Sequence, residues 1–425
     1  MVRSFTDPHD CWYLCAYQLA DCFHMFDRNF IVLELANILA GPITTMFFAE
    51  LGARVIKIEN PHTRGDATRN YKMPSEDPAS DVSAYFACAN WGKESIAIDT
   101  ATSAGRGIVH DLVRRADIVI ASFKPGDEKK LQLDPITLRA LNPRLIYGQI
   151  NAYGADDPRP GFDAILQAEA GFTYLNGEPD GPPTKMPVAL IDLLLAHQLK
   201  EGLLLALLKR ERTGEGSLVS ASLLKAGVSS LANQATNYLV GGVVPKRLGS
   251  EHPNIVPYGT ILTCSDGREL VIASGTERQY RALMDVLDLA AVGAGARFAT
   301  GQLRVRNRGA MLALIRPRAA TFTGAQLSAR LTAAKVPFGF VNDMAAVFQQ
   351  PGAQETLLSG TTNSNVALRG VRSFIVEGDA VILSQPTVPP GLNEHAHIVL
   401  LDFLGYANEH VRALHQHGAF GALDS

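Results

Sequence analysis

From residue 30 onward, short unbroken apolar runs alternate with stretches whose apolar positions recur every three or four residues. Phe30-Ile31-Val32-Leu33-Glu34-Leu35 is the first such run and reads as a buried strand. Gly41-Pro42 opens a helical stretch, Ile43 to Leu51, which Gly52 closes. Arg54 to Glu59, Ser95 to Asp99, Asp117 to Ala121 and Leu145 to Ile150 are further strands. Between them lie a polar loop from Asn60 to Asp81 and a helix through Ile108, Leu112 and Val113. Asp134-Pro135, an N-cap and a first-turn proline, starts another short helix. Apolar strands alternating with amphipathic helices predict an α/β protein with a mostly parallel sheet covered on both faces. Ligands in such folds sit in the crevice outside the carboxyl ends of the strands. The loops after Leu35, Glu59, Ala121 and Ile150 are therefore the places to look.

Helical periodicity dominates from Asp163 to about Val240. The longest predicted helix begins near Asp192 and runs to Arg212, and its cationic end followed by Thr213-Gly214 suits a helix C-terminus. Beyond Gly241-Gly242, Pro257 to Ser274 reads as a β-hairpin turning at Ser265-Asp266-Gly267-Arg268. Helices at Arg278 to Leu287 and Gln326 to Ala334 complete a smaller lobe. Ser359 to Asn365 reads as a polar loop, Phe374 to Leu383 as strands and Ile398 to Leu404 as a final helix. The predicted organisation is an irregular segment 1–29, a large Rossmann-like domain over 30–225 to which 350–425 returns, and a linker and small domain over 226–349.

Composition narrows the chemistry. The 425 residues exceed one small domain, and 47% apolar with 19% charged is the balance of a globular protein. The net charge of −3, with no concentrated basic patch, argues against a nucleic-acid partner. No run reaches the roughly 20 apolar residues of a membrane span, since Asp192 to Leu208 carries His197, Lys200 and Glu201. No membrane partner is expected. The five cysteines, Cys11, Cys15, Cys22, Cys88 and Cys264, form no regular disulfide framework. Cys11 and Cys15 lack a second Cys/His pair at finger-like spacing, so no metal is expected. The first 29 residues carry four aspartates and no secretory apolar core, a poor match to an acid-poor presequence. The compartment stays open between cytoplasm and mitochondrion. The turn Ala36 to Pro42 lacks Gly-x-Gly-x-x-Gly, and no P-loop is present.

Several short motifs follow one another along the chain: Leu39-Ala40-Gly41-Pro42, Glu50-Leu51-Gly52-Ala53-Arg54-Val55-Ile56-Lys57-Ile58-Glu59, Gly65-Asp66-Ala67-Thr68-Arg69, Gly161-Phe162-Asp163, Arg212-Thr213-Gly214-Glu215-Gly216 and Val256-Pro257-Tyr258-Gly259. Each is weak alone; together they resemble the family III CoA-transferases, also called the CaiB/BaiF family, from about Val32 to Tyr406. The resemblance implies an interlocked, ring-like homodimer, acyl-CoA and carboxylic acid substrates, and no cofactor beyond coenzyme A itself. It favours succinyl-CoA as donor and a dicarboxylate such as glutarate as acceptor. It also places the family's nucleophilic aspartate on Asp192, which follows Gly181-Pro182-Pro183 and the apolar Val188-Ala189-Leu190-Ile191. From the residues alone, Asp192 reads as a helix cap, and a helix N-terminus would hold it as the anion. A carboxylate suits the chemistry because it exchanges CoA through a mixed anhydride and an aspartyl-CoA thioester without releasing the thioester energy to water.

For CoA the resemblance points to Asn37, Ile38, Leu39, Ile98, Ser122-Phe123, Lys130 and Phe162. Apolar side chains would sandwich the adenine and Lys130 would meet a phosphate. By pattern, Ile38, Leu39 and Ile98 are equally core residues, and Lys129-Lys130 a solvated pair. The glycine-containing loop implied for the oxyanion falls on Gly249, Ser250 and His252, though His252 also reads as an ordinary packed histidine. Arg69 and Arg247 are candidate anchors for a second carboxylate. Leu39 stands where formyl-CoA transferases carry Gln, and Asn60 where many members carry Arg. Phe162 stands where racemase members carry a histidine. Phenylalanine moves no proton, so two-base 2-methylacyl-CoA racemisation, the nearest enzymatic alternative, is disfavoured. A non-catalytic CoA-binding or structural homologue is the alternative from another class. Asn60 and Asn393 motivate it and Asp192 speaks against it.

Overall fold

The computed structural model describes residues 25–363, 365–378 and 381–421. Cys11, Cys15, Cys22 and the first 24 residues of the segment 1–29 lie outside the described residues. The chain divides into two units. The first takes in the described residues up to Ala170, then Val188–Ser230 and the return from Thr356; the second is Gly171–Pro187 with Leu231–Glu355. The stretch Gly171–Pro187 thus sits in the second unit, inside a range that the pattern of the sequence assigns to the first.

Six parallel strands form the first unit: β1 (Ile31–Leu35), β2 (Arg54–Glu59), β3 (Lys93–Ala97), β4 (Ile118–Ala121), β5 (Ile146–Asn151) and β6 (Leu218–Ser222). Their order is β3-β2-β1-β4-β5-β6, every neighbouring pair parallel. β1 to β4 are almost wholly buried, which is why they read as continuous apolar runs. Helices α1 (Ala40–Glu50), α2 (Ser103–Val113), α3 (Pro135–Leu141), α4 (Asp163–Glu169), α5 (Leu190–Thr213) and α6 (Leu223–Ser229) connect and cover the sheet. The strand order reverses direction between β1 and β4. The loops leaving those two strands diverge there, opening a crevice at the carboxyl edge of the sheet.

The predicted strands and the long helix are present with small shifts of their ends. β6 is not foreseen: its five residues alternate at the edge of the sheet and sit between two helices. Phe374 to Leu383 holds no strand among its described residues. The antiparallel pair lies earlier, at Leu357–Thr361 and Ala367–Val371, so part of the expected polar loop is strand. The expected final helix is a π-helical turn, Ile398–Phe403, and a further helix, Asn408–Gln416, follows it.

The second unit carries the hairpin Tyr258–Thr263 and Glu269–Ala273, with Phe338–Phe340 as its third strand. Helices Glu277–Val286, Arg308–Ala319 and Gly324–Ala333 enclose its own core around Leu262, Ile272, Leu283, Ile315 and Leu327. Thr276 and Gln279, and Thr323 and Gln326, start two of these helices as reciprocal capping boxes.

Candidate active site

The crevice between β1 and β4 is a cleft of about 510 Å³, within the usual span of small-molecule sites. Its walls are the β1 loop Asn37–Gly41, the β4 loop Ser122–Pro125, the end of β5 with Asp157–Asp163, and Asp192. Of the residues singled out from the sequence, the fold gathers Asn37, Ile38, Leu39, Phe123, Phe162 and Asp192 around this one space. Ile98 does not line it. It is 1% exposed and packs in the main core, the role its apolar context also allows. Lys130 does not line it either. Its side chain is 76% exposed and ion-paired with Asp127 at 2.9 Å, while Lys124, three residues beyond the end of β4 at Ala121, lines the cleft.

Asp192 is the third residue of α5, and it does not cap that helix. Ala189 is the N-cap and offers no side-chain bond. The capping acceptor comes from α4: Asp163 Oδ1 accepts the Ile191 N–H at 2.7 Å, and its Oδ2 accepts Gln167 Nε2 at 2.7 Å. Gln167 Nε2 also donates to the Val188 carbonyl at 3.1 Å, tying the entry of α5 to α4. Asp163 thereby satisfies one orphan donor at the start of the long helix. Asp192 is left 8% exposed, and among the described residues its carboxylate takes no hydrogen bond and no ion pair. Burial, with the Asp163 charge adding to it, pushes its pKa up to about 7. The raised pKa runs opposite to the expectation that the helix terminus holds it as the anion, and its cause is desolvation together with the Asp163 charge. A buried carboxyl with a raised pKa on the wall of a cleft is an arrangement that functional sites share.

Ile38 and Leu39 pack with Ile43, Ala89 and Ala196, against Ala189 and Leu193 of the first turn of α5. The β1 loop therefore abuts the backbone that carries Asp192. Gly41 is required for that loop, because a Cβ there would come within 2.3 Å of the Ala36 Cβ. Arg159, stacked at 3.7 Å on Tyr153 and bonded to Asp157, lines the same cleft with Lys124, supplying two cations at its rim. Motif reading passed over Arg159 and Lys124, and it quoted Asp163 within Gly161-Phe162-Asp163 without giving it a role. The signal for Asp163 would have been its own acidic place in the first turn of α4, but its partner lies 28 residues away.

Arg69 is no free anchor. It is buried, binds Glu59 in two bonds (2.9 and 2.6 Å) and donates to the Asp81 and Pro390 carbonyls. Arg247 belongs to the second unit, where it donates to the Tyr174 carbonyl at 3.0 Å. Gly249, Ser250 and His252 are also in the second unit. Gly249 has φ 59°, and a Cβ there would meet the Glu178 carboxylate at 2.9 Å. His252 Nδ1 accepts the Asn254 N–H at 3.1 Å, and its ring lies edge-on to Tyr258.

A parallel sheet in this order with a ligand cleft at its switch point defines a Rossmann-type binding protein. Comparison with known proteins carries the assignment further. The profile of CoA-transferase family III matches residues 28–396. Succinate–glutarate CoA-transferase of Agrobacterium fabrum is 36% identical over 380 residues, spanning 87% of this chain and 94% of that protein. Succinyl-CoA:glutarate CoA-transferase of Mus musculus is 31% identical over 379 residues, spanning 88% and 86%. The crystal structure of a CaiB/BaiF family protein from Brucella suis matches with a TM-score of 0.75 at 37% identity, over 88% of this chain and 98% of that one. The chain belongs to CoA-transferase family III.

Proposed function

We propose that this CoA-transferase moves CoA from succinyl-CoA to a dicarboxylate such as glutarate, with Asp192 as the covalent nucleophile. The observation that carries the reading is the buried Asp192 carboxylate, unpartnered among the described residues, on the wall of the cleft. An Asp192 oxygen attacks the thioester carbonyl, the C–S bond breaks, and CoA thiolate leaves a mixed anhydride. The thiolate then attacks the Asp192 carbonyl, expelling the first acid and leaving an aspartyl-CoA thioester. The acceptor carboxylate attacks that thioester, and the same two steps in reverse give the new acyl-CoA and free Asp192. The poor solvation that raises the Asp192 pKa also leaves its anion unquenched by hydrogen bonds, which favours attack.

Asn37, Ile38, Leu39, Phe123 and Phe162 line the space assigned to CoA, with Lys124 and Arg159 as the charges nearest its phosphates. The names of the two relatives support the glutarate reading. The chain is further read as a homodimer, supported by the outward leucines of α5, Leu205 (66% exposed) and Leu208 (59% exposed), an apolar face that a soluble monomer rarely leaves uncovered. The test is transfer from succinyl-CoA to a panel of mono- and dicarboxylic acids by wild type and Asp192→Asn. Transfer to glutarate that disappears in the variant is expected. Full activity in Asp192→Asn would overturn the mechanism, and transfer to monocarboxylates alone would overturn the acceptor class.

A further inference from the structure

Ile38 is a β-branched residue with φ 72°, in the left-handed region that such side chains avoid. It lines the cleft and packs against the turn of α5 that precedes and follows Asp192. Strain at such a place persists only where the surroundings over-determine it. Here two buried side chains do so. Both Asp66 carboxylate oxygens accept the Ile38 N–H, at 3.2 and 3.1 Å. Asp66 Oδ2 is in turn held by Lys57 Nζ at 2.9 Å, and Lys57 Nζ donates to the Ala36 carbonyl at 3.1 Å. Lys57 and Asp66 therefore grip the two ends of the turn Ala36–Ile38 from below. Asp66 is itself fixed by the N–H of Thr68 (3.0 Å) and its hydroxyl (2.9 Å). Lys57 is paired with Glu34, its in-register neighbour on the adjacent strand β1. Lys93 completes the cluster on the other Glu34 oxygen at 2.7 Å, so two cations and two anions balance.

We propose that the Asp66–Lys57 pair is a clamp that holds Ile38 left-handed and so positions the cleft wall against the helix turn bearing Asp192. Asp66 is a positioning residue: it touches no substrate atom and acts through the backbone of Ile38. The proposal rests on the reading of Asp192 as nucleophile. Burial acts to raise the Asp66 pKa, but the Lys57 charge and the hydrogen bonds from Lys57 and Thr68 together outweigh it and set the carboxyl well below its ordinary range, at about 2, so the clamp stays ionised at neutral pH.

The experiment is the rate at which CoA from succinyl-CoA becomes covalently attached to the protein, read by mass. It compares wild type, Asp66→Asn, Ile38→Gly, Ile38→Ala and the double variant Asp66→Asn/Ile38→Gly, with Asp192→Asn in parallel. Asp66→Asn is expected to slow attachment about tenfold to a hundredfold, the loss that a displaced wall gives, while attachment still goes to completion. In the Ile38→Gly background, where no side chain resists the left-handed form, the same change is expected to cost less than about twofold. Ile38→Gly is expected to outpace Ile38→Ala severalfold, although alanine keeps more of the side chain. Equal losses from Asp66→Asn in both backgrounds, or alanine matching glycine, would overturn the clamp and leave Asp66 a stabilising residue only. Should Asp66→Asn fail to fold, the glycine–alanine comparison still decides. Attachment of CoA to Asp192→Asn would instead overturn the nucleophile reading, with the glycine–alanine order, read as overall transfer rate, still judging the clamp.

Discussion

Asp192 pairs two properties that pull against each other: attack requires the anion, and burial beside Asp163 disfavours it. The rate of the free enzyme, kcat/KM, is expected to rise with pH through a midpoint near 7, checked by a pH profile against succinyl-CoA. The same shift has a stability consequence of defined sign. The folded-state pKa lies above the ordinary 3.8, so the folded state binds more protons between 3.8 and about 7. The penalty is absent below pH 3.8, grows as pH rises through that window and is complete above about 7. Asp192→Asn is thus expected to melt higher than wild type at pH 8, the gain fading by pH 4, while its transfer activity is lost. Lys200 presents the mirror case on the same helix. The residue is 4% exposed, its amine has no hydrogen bond among the described residues, and burial pulls its pKa down to about 8. Lys200→Met is expected to stabilise the fold at pH 7 by about 1–3 kcal/mol, the cost of a buried polar group left unbonded. That gain should shrink as pH rises from about 8, where the wild-type amine sheds its proton; thermal melts at pH 7 and pH 10 check it. The role proposed for Asp192 was legible only through family resemblance, since an aspartate before an apolar helix reads as a cap. The real cap, Asp163, acts across 28 residues, a separation that local pattern does not encode.

At the scale of elements, the junction of α4 and α5 governs the site. Asp163→Asn keeps an oxygen for the Ile191 N–H but removes the charge beside Asp192. The pH midpoint of kcat/KM is expected to move below that of wild type, with stability changed by no more than about 1 kcal/mol because the cap survives. An unmoved midpoint would show that burial alone sets the Asp192 pKa. The strands β1 to β5 were readable as apolar runs because parallel strands are buried on both faces. β6 was not, because an edge strand of alternating Leu218-Val219-Ser220-Ala221-Ser222 carries too little apolar signal between two helices. The charged residues inside those runs, Glu34 in β1 and Lys57 in β2, were visible but unexplained. Their meaning depends on register, which sets Glu34 beside Lys57, and on Asp66 arriving from a loop.

At the scale of the molecule, the switch in strand order between β1 and β4 puts the loops after Leu35 and Ala121 on one cleft, as the alternation of elements foretold. Ile98 and Lys130 show where that reasoning stops. Pattern and resemblance select a residue, but which face of the sheet or rim it meets is a property of the assembled fold. The central claim is that CoA is carried on Asp192, and the most direct measurement is peptide mass mapping after incubation with succinyl-CoA, with and without hydroxylamine. The account predicts a CoA adduct on the peptide containing Asp192, converted by hydroxylamine to a hydroxamate at that residue. Active transfer with the label on another side chain, or with no covalent CoA on the protein at all, would contradict it.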